Sequence, residues 1–217
     1  MSEIITIDGP AGSGKSTIAR LLAGTLGFLY LDTGAMYRAV ALAAREQGLE
    51  IGDAAGLGAL CKSLPLRFAG DEDPPGIYLA ERDISMAIRS PEMDLLSSSI
   101  SAVKEVRMAM KDLQRSMADG VDIVAEGRDM GTVVFPEAGH KFFLTASPKV
   151  RAGRRYSERK ERGETVSMEV VEEEIRKRDH QDQTRALAPL KPAQDAEVID
   201  TANLTPQGVL ERILSRL

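Results

Sequence analysis

The 217-residue chain has one cysteine, two histidines and no tryptophan, and aromatic residues make up only 4% of it. A lone Cys61 forms no internal disulfide, and so few thiols and imidazoles leave no cluster with metal-ligand spacing. Cys61 itself reads as a small residue in or near the core. There is no long apolar segment, and no basic stretch precedes the first apolar run. Membrane insertion and secretion are therefore not expected, and a cytoplasmic location is. Cations are in deficit, with 28 lysines and arginines against 33 acidic residues and a net charge of −5. That balance disfavours a broad nucleic-acid surface, and scarce aromatics remove the stacking platforms such a surface uses. No internal repeat, low-complexity tract or heptad seam is visible. A monomer without nucleic-acid or membrane partners is expected.

What the chain does have is apolar content of 43%, enough for a full core in a single domain with a modest insertion. Short apolar runs alternate with helical patterns, the signature of a parallel α/β sheet. Strands are predicted at 4–8, 28–31, 121–125, 141–144 and 196–199, and helices at 15–26, 35–47, 92–117, 148–162, 168–185 and 206–217. One segment breaks this rhythm. Two short apolar runs flank the turn-rich Gly70-Asp71-Glu72-Asp73-Pro74-Pro75-Gly76, which predicts an antiparallel hairpin, and Asp83-Ile84-Ser85 offers a third strand. The expected organisation is thus one domain, with a core of 1–63 and 91–217 and a small β-rich insert at about 64–90.

The most specific motif is Gly9-Pro10-Ala11-Gly12-Ser13-Gly14-Lys15-Ser16-Thr17, which satisfies G-x-x-x-x-G-K-[ST] between a predicted strand and a predicted helix. Its glycines let consecutive N–H groups turn onto phosphate oxygens, and the helix N-terminus adds its positive dipole end. Lys15 is placed to reach the β- and γ-phosphates of ATP, and the Ser16 hydroxyl to bind Mg²⁺. Such a loop recognises a nucleotide without saying what accepts its phosphoryl group.

The arginines address the acceptor, because phosphoryl transfer runs on positioning and charge neutralisation. Thr33 and Arg38 bracket the start of a helix after the second predicted strand, at the sheet edge where ligands bind. A capped helix start with a solvated arginine fits that pattern equally well. Glu126-Gly127-Arg128-Asp129 ends the third predicted strand at the same edge. There Arg128 suits an acceptor phosphate and Asp129 an exocyclic amine, with a salt-bridged turn as the plainer alternative. Arg154 and Arg155, in a basic helix within an acidic protein, fit a lid at about 151–163 that closes over ATP. Arg178, Asp182 and Arg185 share one helix face, either lining the acceptor cleft or forming a surface ion-pair ladder. His140 and His180 have no partner at triad or metal spacing.

Four stretches together resemble the bacterial cytidylate kinases, in the nucleoside-monophosphate kinase superfamily. They are Ile7 to Thr17, Leu31-Asp32-Thr33-Gly34-Ala35-Met36-Tyr37-Arg38, the run from Glu126 through Asp129 to Pro136, and Arg185-Ala186-Leu187-Ala188-Pro189-Leu190. They run in family order over nearly the whole chain. The resemblance implies a three-layer P-loop kinase fold with a five-stranded parallel sheet and an antiparallel insert in the acceptor-binding region. It implies an ATP- and Mg²⁺-dependent kinase for CMP or dCMP. Thr33, Arg38 and Arg128 would hold the acceptor phosphate, Ser98, Arg107 and Asp129 would read the cytosine edge, and Arg178 and Asp182 would complete the acceptor site. The chain departs from the family at three positions. His180 stands where some members have an acidic residue, Gln183 where they have an arginine, and Glu126 where aspartate is frequent. The first two bear on the choice between CMP and dCMP.

Overall fold

In a computed structural model, residues 2–69 and 75–217 are described. Residues 70–74, the tip of the predicted hairpin, lie outside the described residues. The chain divides into two compact units, one formed by residues up to Leu31 together with Gly120–Leu217, the other by Asp32–Asp119.

The first unit contains the main sheet. β1 (Ile4–Asp8) leads into α1 (Lys15–Leu26), and β2 (Leu29–Asp32) returns beside β6 (Ile123–Gly127). β7 (His140–Thr145), α6 (Pro148–Glu161), α7 (Met168–Thr184), β8 (Glu197–Asp200) and α8 (Pro206–Leu214) complete it. The strand order is β2–β6–β1–β7–β8, and β1 runs parallel to both of its neighbours. Continuous apolar runs such as Ile4-Ile5-Thr6-Ile7 suit strands buried on both faces. Ile5, Ile7, Val124, Phe142, Leu144 and Ile199 pack with Ile18 and Leu22 of α1 and with Val209 and Ile213 of α8. A smaller apolar cluster joins Ala11 to Ala152, Val171 and Ile175 of α6 and α7.

β1 is the strand from which the chain leaves in both directions, to β6 and β2 on one side and to β7 and β8 on the other. The crevice at the carboxyl end of such a switch strand is where open α/β sheets bind ligands. The phosphate loop sits there because it is the connection that follows β1.

The second unit carries α2 (Thr33–Glu46), α3 (Ala54–Lys62), α4 (Pro91–Ile100) and α5 (Lys104–Met117). It also carries the three-stranded antiparallel sheet β3 (Leu66–Ala69), β4 (Gly76–Leu79) and β5 (Arg82–Asp83). The described parts of the expected hairpin are therefore an antiparallel sheet with its third strand. α2 starts two residues before its predicted beginning, because the Asp32 side chain accepts from the Ala35 N–H at 2.8 Å and caps it.

Two expectations are corrected. The helix predicted over 92–117 is two helices, broken at 101–103. The hydroxyls of Ser97, Ser99 and Ser101 bond to nearby backbone carbonyls, a competition that weakens helix continuity. The Arg107 guanidinium then donates to the Ser101 carbonyl at 3.2 Å and satisfies one of the freed acceptors. α3 was absent from the sequence pattern because it is short and contains two glycines. Asp53 caps it, and Gly58 permits close approach to Glu105 of α5, whose Cβ would lie 2.8 Å from an added methyl.

Candidate active site

The phosphate loop spans the 9–14 segment between β1 and α1. A Cβ at Gly9 would overlap the Leu144 carbonyl oxygen, so only glycine fits there. Gly12 combines a φ of +74° with a Cβ position 2.9 Å from the Arg151 carbonyl oxygen. Gly14 caps α1 in the left-handed region, and Lys15 is the first helical residue. Lys15 is buried and its ammonium donates back to the Pro10 carbonyl at 3.3 Å, within the loop. Ser13 is buried, and its own carbonyl accepts from Thr201 Oγ1 at 3.0 Å.

Burial pushes the Lys15 ammonium down to about 7, with Arg128 adding to the effect and Glu126 opposing it. ATP phosphates favour the charged form, so ATP binding above that pH draws a proton onto Lys15. Titration calorimetry at about pH 8 in two buffers of different ionisation enthalpy is expected to read uptake of up to about one proton per ATP. That uptake should vanish in Lys15→Met. Buffer-independent heats in the wild type would place the Lys15 transition elsewhere.

Beside the loop, Ser16 Oγ donates to Glu126 Oε2 at 2.8 Å, and the Tyr30 hydroxyl donates to Glu126 Oε1. Glu126 is buried at the end of β6. The sequence placed Glu126 at the end of a strand, where aspartate is frequent in the family, without indicating either partner. Its spacing of 110 residues from Ser16 gives no local signal. A hydroxyl next to a carboxylate is a hard-oxygen donor pair, which fits Mg²⁺. That ion keeps several waters and takes substrate phosphates as further ligands.

The backbone turns sharply after Gly127. Arg128 donates through Nε to Asp182 Oδ2 at 2.8 Å, and Arg185 pairs with Asp129 at 3.4 Å and with Asp182 at 3.9 Å. All four side chains are mostly buried. Burial alone would raise the Asp182 carboxyl, but Arg128, Arg178 and Arg185 outweigh it and hold it below its ordinary value. Burial likewise opposes the charge on Arg128, and Asp182, with Glu126 and Asp8, more than restores it. Alternating charge of this kind is stable only as a set, since removing one member leaves another buried and unmatched.

The arginines of α6 do not behave alike. Arg151, which is buried, donates to the Ala11 carbonyl at 3.0 Å and forms a two-pronged pair with Asp179 of α7, so it fixes the loop from behind. Arg154 donates to Thr201 Oγ1 at 3.0 Å and to the Thr201 carbonyl at 2.6 Å, and reaches the Ser13 carbonyl at 3.5 Å. Arg155 lies one residue further round the helix and pairs with Glu158 at 2.8 Å.

The first unit thus brings together Lys15, Ser16, Arg128, Asp129, Arg154, Asp182 and Arg185, with Arg178 on the same helix as Asp182. Thr33, Arg38, Ser98 and Arg107 belong to the second unit. There Thr33 is buried at the first turn of α2, and Arg38 lies 3.5 Å from Asp32 and 3.8 Å from Asp94 of α4. Arg107 is buried with its guanidinium 5.8 Å from the centre of the Tyr37 ring. Ser98 is half-buried on α4, four residues after Asp94.

A phosphate loop at the switch strand of a parallel sheet, with a hydroxyl and a carboxylate at its exit, defines a nucleotide-binding protein of the P-loop class. Two solved structures share the fold at low identity. An uncharacterised protein from Eubacterium ventriosum aligns with a TM-score of 0.51 at 14% identity, covering 100% of both chains. Shikimate kinase from Bacteroides thetaiotaomicron aligns at 0.50 and 11%, covering 99% of both.

Closer relatives are found by sequence. A cytidylate kinase from Citrifermentans bemidjiense is 48% identical over 208 residues, 96% of this chain and 89% of the relative. One from Stutzerimonas stutzeri is 46% identical over 216 residues, 99% of this chain and 94% of the relative. The cytidylate kinase family model matches residues 5–217. The chain belongs to the cytidylate kinase family.

Proposed function

We propose that the protein transfers the γ-phosphoryl group of ATP to CMP or dCMP, giving ADP and CDP or dCDP. The observation that carries this reading is the turn at the end of β6 with Arg128 half-buried and Asp129 buried, one strand away from the phosphate loop. A cation and a carboxylate there match the two groups of a cytidine monophosphate that need recognition. Asp129 accepts from the cytosine N4 amino group, where uracil would present a carbonyl acceptor. Arg128 holds the acceptor phosphate, together with Thr33 and Arg38. Ser98 and Arg107 complete the base edge, and Arg178 and Asp182 the acceptor site.

The reaction is an in-line displacement. An oxygen of the acceptor phosphate bonds to the γ-phosphorus while the bond to the β,γ-bridging oxygen breaks, and that oxygen leaves with ADP. No general base is required, because the phosphate monoester is already anionic. Backbone N–H groups of residues 11–14 and the ammonium of Lys15 hold the donor phosphates. Arg154 and Arg155 supply further positive charge from α6, and Arg154 already rests against the loop. Ser16 and Glu126 would hold Mg²⁺, which neutralises charge on the ATP phosphates when bound.

An ADP-release assay with MgATP, offering CMP, dCMP, UMP, AMP, shikimate and no acceptor, tests this reading. CMP is expected to be turned over strongly and UMP weakly. The dCMP rate reads the consequence of having His180 and Gln183 at those positions. Silence on every pyrimidine nucleotide would overturn the substrate assignment.

A further inference from the structure

We propose that Asp8 is a positioning residue for substrate recognition, capping the turn after β6 so that Asp129 is released from that task. The proposal rests on the reading of Asp129 as the cytosine-reading residue.

After Asp129 the chain makes a single π-helical turn, Met130–Val134. The first amides of any helical turn lack partners within it, and the residue before the turn ordinarily supplies one from its side chain. Aspartate is among the side chains best suited to that role. Asp129 occupies the cap position, yet its side chain makes no capping hydrogen bond. The two amides are taken by Asp8 instead. Met130 N–H donates to Asp8 Oδ1 at 2.9 Å and Gly131 N–H to Asp8 Oδ2 at 2.8 Å.

Asp8 is the last residue of β1, with Gly127 opposite it in the parallel ladder. Its backbone leads directly into Gly9 of the phosphate loop, and its side chain reaches across to the neighbouring strand's turn. Only the ionised carboxylate offers both oxygens as acceptors. Burial pushes this carboxyl up to about 6, the two amides oppose that rise, and Asp129 and Arg128 are the charged side chains acting on it. With the amides satisfied from β1, the Asp129 carboxylate faces Arg185 rather than its own backbone. One strand end thereby sets both the donor loop and the direction of the acceptor-reading carboxylate.

Asp8→Asn tests this, because it keeps the shape but turns an NH₂ group toward one amide. Asp129 is then expected to fold back as the cap of its own turn. KM for CMP should rise by at least about tenfold with KM for ATP within about twofold, and an Asp129→Asn background should reduce the Asp8 effect to under about twofold. Asp8→Glu, which keeps the charge and displaces the carboxylate, should move KM for CMP in the same direction. An equal rise in both Michaelis constants, or an undiminished Asp8 effect in the Asp129→Asn background, would overturn the proposal.

A second readout is independent of catalysis. Amide exchange at Met130 and Gly131 should speed up in Asp8→Asn while the β6 amides keep their protection. Unchanged exchange at those two amides would overturn the capping role even if the wild type turned over CMP. A wild type inactive on CMP would instead remove the cytidylate reading and leave the cap to be judged by exchange.

Discussion

Replacing Lys15 with alanine is expected to lower kcat by at least about a hundredfold, the scale set by losing one preorganised charge donor at a reacting centre. Phosphoryl transfer leaves the protein little covalent work, so charge placed against the transferring oxygens is the larger part of catalysis. In the free protein the Lys15 ammonium donates to the Pro10 carbonyl within its own loop, and burial disfavours its charge. The protonated form thus becomes fully favourable only when phosphates arrive. Removing the side chain should therefore leave thermal stability close to that of the wild type, or slightly above it. This separates the catalytic effect from a folding defect, which would lower the melting temperature together with kcat. Near-normal turnover in a folded Lys15→Ala protein would take Lys15 out of the mechanism.

Lys15 was legible in the sequence because its site is local. Strand, loop, lysine and helix follow one another within 26 residues, and each step has its own signal in glycine spacing or apolar period. The same holds for the capped starts of α6 and α8, where serine or threonine precedes proline. Legibility fails where partners are distant in the chain. Asp8 and Met130 are separated by 122 positions, and Ser16 and Glu126 by 110, so nothing in either segment announces the other. The π-helical turn after Asp129 is invisible for a related reason. Its sequence, Met130-Gly131-Thr132-Val133-Val134, favours a strand, and the turn exists because Asp8 satisfies its first amides. α3 and the break at Ser101 were missed because capping and carbonyl competition, rather than hydrophobic period, decide them.

Asp129→Asn should collapse the preference for CMP over UMP, and the geometry explains why asparagine is the informative replacement. Alanine would leave Arg185 facing a void beside Asp182, and breaking a buried pair costs about 3–5 kcal/mol, enough to confuse recognition with folding. Asparagine keeps the volume, still offers Arg185 an amide oxygen, and leaves the Asp182 partnership in place. At the base, the amide can turn either face outward. Its oxygen accepts from the cytosine amino group, and its NH₂ donates to the uracil carbonyl, so neither base leaves a buried polar group unmatched. Loss of the charged acceptor should reduce kcat/KM for CMP by about a hundredfold, and relief of the mismatch should raise it for UMP, with KM for ATP within about threefold. Parallel Michaelis analyses with the two acceptors read this directly. If both acceptors lose activity by the same factor, Asp129 acts on the fold or on Arg185 rather than on the base. If neither changes, the cytosine edge is read by other residues, of which Arg107 and Ser98 in the second unit are the ones to replace next.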